Sequence, residues 1–225
     1  MSDGPGTTLP HWSSVLAVVA HPDDESFGLG AVLDAFVRAG SEVRVLCLTQ
    51  GEASTLHGVD GDLAVLRSAE LQEAAQALGV TSALLLGHPD GALGADPAVV
   101  LEDVLGVVAE VAPDGLVVFD PSGITGHPDH IAATRAAVEA AEQRNLPVLA
   151  WTLPAAVADT LVAETGAGFV GHDGAAVDLV VPVDRTRQRI ASLAHASQAI
   201  PTSVLWRRLE LLGDLEHLRW LRIPS

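Results

Sequence analysis

The stretch Val15-Leu16-Ala17-Val18-Val19-Ala20-His21-Pro22-Asp23-Asp24-Glu25 changes character at Ala20. Six apolar residues run without interruption and are followed by a histidine, a proline and three carboxylates. An unbroken run of this length is what a parallel strand covered on both faces requires. Similar runs recur at 43–49, 83–86 and 116–119. Between them lie 27–39, 63–78 and 97–111, where apolar residues repeat at three- and four-residue spacing, as an amphipathic helix demands. The middle one reads Leu63, Leu66, Ala69, Leu71, Ala74, Ala75, Leu78 and stops at Gly79, a natural helix terminator. Alternation of this kind predicts an α/β fold, a Rossmann-like open, mostly parallel sheet with helices on both faces and right-handed crossovers.

The second half is less regular. It suggests a helix over 131–143, a strand at 148–152, a glycine-rich loop or hairpin at 166–174 and a strand at 177–183. Two helices are expected at 184–199 and 203–221, parted by Pro201. The last carries Leu205, Leu209, Leu212 and Leu215 on one stripe, read first as core packing and second as subunit contact in a homo-oligomer. We read residues 1–225 as one domain with residues 1–12 as a flexible lead-in and 203–222 as a C-terminal helix.

Composition removes several functions. Among 225 residues, 29 Asp+Glu against 12 Lys+Arg leave a net charge of −17, which repels phosphate backbones and anionic membrane surfaces. Nucleic acid and membrane insertion are therefore poor readings, and no run approaches the ~20 apolar residues of a membrane span. The start lacks the basic, long apolar pattern of an export signal, so a cytoplasmic location is expected. The single cysteine, Cys47, excludes cysteine-based zinc sites, so a metal centre must draw on His, Asp and Glu. Cys47 itself lies in an apolar run and reads as a buried small residue.

In a doubly wound sheet of order 3-2-1-4, ligands bind beyond the C-terminal ends of strands one and four. That topology brings the loop after Ala20 against the loop after Phe119, Asp120-Pro121-Ser122-Gly123-Ile124-Thr125-Gly126-His127-Pro128-Asp129-His130. A dinucleotide site would need Gly-x-Gly-x-x-Gly in the first loop, where this chain has carboxylates that would repel a pyrophosphate. A cation suits them better. Catalytic zinc takes three protein ligands and keeps a place for water. The i, i+3 spacing of His127 and His130 allows both imidazoles to face the crevice, with Pro128 pre-set for a helix start. His21 and one of Asp23 or Asp24 come from the other loop, and the second carboxylate is free to accept a proton.

Ala-His-Pro-Asp-Asp-Glu (20–25) with His-Pro-Asp-His (127–130) resembles the LmbE-like, or PIG-L, family of zinc-dependent deacetylases. Leu48-Thr49-Gln50-Gly51-Glu52, Arg67-x-x-Glu70 with Leu78-Gly79, and His195-x-Ser197-Gln198 extend the resemblance to about residues 15–200. It implies one Zn2+ ligated by His21, Asp24 and His130, with Asp23 as general base. His127 would protonate the leaving amine or stabilise the tetrahedral intermediate. Arg67 and Asp90 would touch sugar hydroxyls; the plainer readings are an Arg67–Glu70 pair and an Asp90-Gly91 turn. Asp129 would cap or orient. The implied activity is removal of an acetyl or small acyl group from an N-acyl amino sugar or related small-molecule amide. The alternatives are a metal-dependent hydrolase of small esters and a non-catalytic sugar-binding protein. One departure stands out: some family members carry a tyrosine where this chain has Thr125, and this chain has no tyrosine at all. His195 and Gln198 have no role that their spacing reveals. His88 is placed in a βα loop where it could touch substrate, the plainer reading being a solvated loop histidine. His11, His57, His172 and His217 read as surface residues.

Overall fold

The computed structural model describes residues 4–54 and 61–224. Strand β1 (Ser14–Val19) leads through α1 (Asp24–Phe27) and α2 (Gly30–Arg38) to β2 (Glu42–Thr49). Helix α3 (Leu63–Leu78), β3 (Ser82–His88), α4 (Pro97–Val111) and β4 (Gly115–Phe119) follow. Then come α5 (Gly123–Gly126), α6 (Pro128–Arg144), β5 (Val148–Pro154), α7 (Ala155–Thr165) and β6 (Gly171–His172). The chain closes with β7 (Leu179–Pro182), α8 (Thr186–Ala194), α9 (Val204–Leu212) and β8 (Leu215–Arg222). The sheet order is β3-β2-β1-β4-β5-β8-β7, with the short β6 beside β5. The first five strands are parallel, and β8 is antiparallel to both β5 and β7. The α/β sheet with its reversal between β1 and β4 is the one the apolar runs predict.

β1 feeds both faces. Val15, Ala17 and Val19 pack with Leu33 and Phe36 of α2 and Leu71 and Leu78 of α3. Leu16, Val18 and Ala20 pack with Val104 and Val108 of α4 and with α6. The buried face of α6 is Ala132, Ala133, Ala136, Ala137, Ala140 and Ala141. Side chains this small let a helix lie close to its neighbours. The N-terminus of α6, where His127 and His130 lie, is thereby held at the C-terminal ends of β1 and β4.

Several expected boundaries give way. The helix read over 27–39 is broken: Gly28 packs where any Cβ would run into the Phe119 ring, and α2 begins afresh at Gly30. The helix read over 184–199 ends at Ala194, because the residues beyond it turn inward to buried carboxylates. His195 is fully buried and pairs with Glu25 of α1 at 2.7 Å, and Ser197 pairs with Glu70 of α3. The C-terminal helix read over 203–222 is corrected: α9 stops at Leu212, Gly213 takes a positive φ of 56°, and β8 follows. There the pattern has period two, burying Glu216 and Leu218 while Leu215 is 42% exposed. Glu216 accepts from Trp151 Nε1 at 2.6 Å and pairs with Arg185, which draws this segment into the sheet. The glycine-rich 166–174 forms no hairpin; Gly171 and His172 run parallel to β5.

The lead-in also differs from expectation. Gly6 bridges to Leu179, and Trp12 stacks on Phe36 at 5.6 Å and meets Trp220 edge-on. Residues 4–12 thus cover the end of the sheet, while residues 1–3 lie outside the described residues. His172 and His217 are half-buried in strands rather than free on the surface; His172 pairs with Asp120 at 3.1 Å. His57 lies outside the described residues. Among the described residues no helix is long and apolar enough to cross a membrane.

Two predictions follow from this packing. Gly28→Ala drives a methyl into Phe119 and should destabilise the protein by about 1–3 kcal/mol, read from the denaturant midpoint; an unchanged midpoint would refute the contact. Burial works against the His195 imidazolium, but the Glu25 charge more than offsets it, so His195 titrates above the ordinary histidine range. A raised folded-state pKa contributes stability that is complete below the unfolded value of about 6.5 and is lost as pH rises through the folded value. The stability gap between wild type and His195→Asn, measured by urea unfolding, should therefore narrow as pH rises above about 6.5. A gap that widens as pH rises contradicts the assignment.

Candidate active site

The order reversal between β1 and β4 places their following loops on one cleft of about 510 Å³. Its lining includes His21, Asp23, Asp24, His127 and His130. Asp24 ties the two loops together. Its Oδ2 accepts from the amides of Ala20 and His21 at 3.1 and 2.9 Å, folding the first loop back on β1. Its Oδ1 lies 3.1 Å from His130 Nε2 on the second loop. Burial opposes the Asp24 charge, yet His130 and His21 hold its carboxyl well below the usual range.

Each imidazole is oriented from behind. His130 Nδ1 donates to the Gly123 carbonyl at 3.2 Å, which turns Nε2 toward Asp24. His127 caps α6 by accepting the Asp129 amide at Nδ1, 3.3 Å, so the neutral ring carries its proton on Nε2. Burial and the neighbouring His130 and His21 charges lower the pKa of His127 and keep it neutral. His21 Nε2 lies 3.1 Å from Asp90 and 3.3 Å from Asp129. Asp129 is itself fixed by the amides of Gly91 and Leu93, the orienting place its sequence position suggests.

Charge is the key to the centre. Burial pulls the His21 pKa down, but Asp129, Asp24 and Asp90 together push it up to about 12. Carboxylates this close, out of water, force a proton onto a histidine because they need a positive charge between them. A divalent cation answers the same need. Nitrogens of His21, His127 and His130 come within 4.8 Å of one another, and so do ligand atoms of His21, Asp90 and Asp129. The second set draws on carboxylates already engaged by the Ala53, Gly91 and Leu93 amides. Asp24 is likewise engaged, with Oδ2 on the Ala20 and His21 amides and Oδ1 facing His130. His21 belongs to both sets, and Asp24 Oδ1 adds a carboxylate donor beside His130, so these His and Asp donors suit a divalent cation such as zinc.

Asp23 sits beside this set with a φ of 116°, a left-handed conformation that a non-glycine residue adopts only under constraint. Its amide donates to Glu25 Oε2 at 2.9 Å, and the other oxygen of Glu25 is the one paired to His195. Its carboxylate lies 3.1 Å from Arg67 Nη2. Burial raises its pKa to about 6, against the opposing charge of Arg67. Arg67 also donates to the carbonyls of Gly51 and Pro22, so the Arg67–Glu70 pair considered from spacing does not form. A side chain at Gly51 would collide with this guanidinium. Asp90 joins the cleft through His21, and Thr125 lies exposed on its rim. His88 does not line the cleft; it lies 2.9 Å from Asp103.

His195 and Gln198, whose spacing reveals no role, each find a fixed partner. Glu70 accepts from the amide and hydroxyl of Ser197, and Gln198 accepts from Ser54 Oγ at 2.8 Å on the cleft wall. Arg208 of α9 also lines the cleft, and nothing in its sequence context signals that position.

Comparisons with known proteins identify the family. The family profile described as GlcNAc-PI de-N-acetylase (PIG-L) matches residues 16–141. A 1D-myo-inositol 2-acetamido-2-deoxy-alpha-D-glucopyranoside deacetylase of Kineococcus radiotolerans is 34% identical over 82% of this chain and 68% of its own. The enzyme of the same description from Streptomyces avermitilis is 38% identical over 57% of this chain and 52% of its own. The chain thus spans between about half and two thirds of these relatives. The zinc inhibited form of teicoplanin deacetylase shares the fold at a TM-score of 0.72, with 21% identity, covering 94% of this chain and 98% of that one. The profile match runs from β1 through most of α6, the segment that carries both histidine-bearing loops, and on that ground the chain belongs to the GlcNAc-PI de-N-acetylase (PIG-L) family.

Proposed function

We propose that this protein hydrolyses the amide of an N-acylated amino sugar, with one zinc ion held by His21, Asp24 and His130. The carrying observation is the bridge made by Asp24 between the loop of His21 and the loop of His130, with Asp23 beside it. The relatives named for deacetylating an inositol-linked 2-acetamido sugar support the substrate class. Bound there, zinc would supply Lewis acidity toward the amide carbonyl and lower the pKa of water.

The protein's own residues carry the proton chemistry. Asp23 takes the proton of the attacking water at its carboxylate and later passes it to the departing nitrogen. Its position is fixed twice, by Arg67 at the carboxylate and by Glu25 at the amide. His127 presents Nε2–H as a neutral donor to the oxygen that gains charge as the carbonyl becomes tetrahedral. This assigns oxyanion stabilisation to His127, the second of the two roles that the family resemblance allows it. Asp90 and Asp129 keep the His21 ring in register.

The strand order divides the cleft. Arg67, Asp90, Ser54 and Gln198 belong to the β2 and β3 side and make a polar end for sugar hydroxyls. Thr125 meets the substrate at the rim, and its short hydroxyl leaves the oxyanion to His127.

Amine release from a panel of N-acetylated amino sugars, with metal-free and zinc-restored protein, tests the reading. Zinc-dependent release supports it; ester cleavage without amide cleavage, or sugar binding without turnover, overturns it. Asp23→Asn should lower kcat by about 10²–10⁴ while zinc content, measured by plasma mass spectrometry, stays at one per chain. Asp24→Ala should lose the zinc. Zinc lost from the first variant and kept in the second would exchange the two roles.

A further inference from the structure

The β4 and β5 side of the cleft is unlike the sugar end. Phe119, Ile124, Trp151, Phe169 and Leu205 form an apolar wall there. The rings run in sequence from the metal-ligand set, with His130 to Phe119 at 5.0 Å and Phe119 to Trp151 at 5.4 Å. At the far end lies Arg208, only 8% exposed, its guanidinium 5.2 Å above the Trp151 ring. An acetyl group needs neither this depth nor a charge.

Arg208 is not neutralised by its surroundings. One nitrogen, Nη2, donates to the Phe27 carbonyl at 2.6 Å, a neutral partner. Nε is buried and has no hydrogen-bond partner among the described residues. The carboxylate it feels most, Glu216, is committed to Arg185 and to Trp151 Nε1. A buried cation without a dedicated anion is costly, and it persists where a ligand supplies the missing charge.

We propose that this end of the cleft is an acyl subsite, and that Arg208 there binds the terminal carboxylate of a dicarboxylic acyl group attached to the sugar nitrogen. This rests on the amidase reading above and deepens it. The scissile amide sits at His130 and Asp24, the sugar lies toward Asp90 and Gln198, and the acyl chain necessarily leaves in the other direction. It runs along Phe119 and Trp151 to the guanidinium. An aromatic wall accepts the methylene groups, and a planar guanidinium pairs a carboxylate through two donors.

The test uses zinc-loaded enzyme and the amino sugar that gives the fastest acetyl release. The kcat/KM values for its N-acetyl, N-succinyl and N-glutaryl forms are compared with those of neutral amides of the same two diacids. In wild type the better-fitting acid should exceed its neutral amide by about tenfold or more. That ratio should collapse toward one in Arg208→Gln and be partly kept in Arg208→Lys. Equal rates for acid and amide in wild type overturn the subsite without touching the amidase reading. An Arg208→Gln variant that loses all substrates in equal proportion assigns Arg208 to structure alone and also overturns it. Failure to cleave any N-acyl form removes both.

Discussion

The Asp24 carboxylate is the constraint on which the rest of the site depends. One oxygen takes two backbone amides from the end of β1, and the other faces His130 at the start of α6. The charge is buried, so it persists only because each oxygen is satisfied. Strand, loop and helix are thereby fixed to one another at a single atom pair. Two adjacent parallel strands leave a crevice at their C-terminal ends in any fold of this type. Here the crevice is given chemistry by a carboxylate that spans it.

Around that point the protein buries further carboxylates, each captured by a residue distant in sequence. Glu25 is joined to His195, Glu70 to Ser197 and Glu216 to Arg185. The first two draw the chain after α8 against α1 and α3, so the C-terminal third becomes a wall of the cleft. The cost of burying these groups is offset only when both partners are in place. The strained backbone of Asp23 is held by the same framework, since Glu25 bonds its amide while His195 bonds Glu25. Asp23 is thus positioned from the far end of the chain.

The sheet and the loop pair were legible in the sequence because both rest on local signals. Runs such as 15–20 and 116–119 mark buried parallel strands, and α3 and α4 begin and end at the residues their periodicity and caps indicate. The rest was hidden for a physical reason. Leu215 continues the three- and four-residue spacing of α9, yet Gly213 ends the helix and the capture of Glu216 by Arg185 and Trp151 turns the following residues into β8. His195 and Gln198 look like helix residues until their partners, well over a hundred residues away, are known. Arg67 and Glu70, neighbours on one helix face, serve separate partners rather than each other. Pairings of this kind are decided by tertiary geometry, and no local pattern carries them.

His21, Asp24 and His130 are proposed to form one metal centre. X-ray absorption at the zinc edge, on protein reconstituted with one equivalent, reads its inner ligands directly. Two imidazole nitrogens with oxygen from a carboxylate and water are expected at about 2.0–2.2 Å, with loss of one imidazole contribution in His130→Ala. A shell of three imidazoles, unchanged by Asp24→Ala, would contradict it and place the centre on His127 instead.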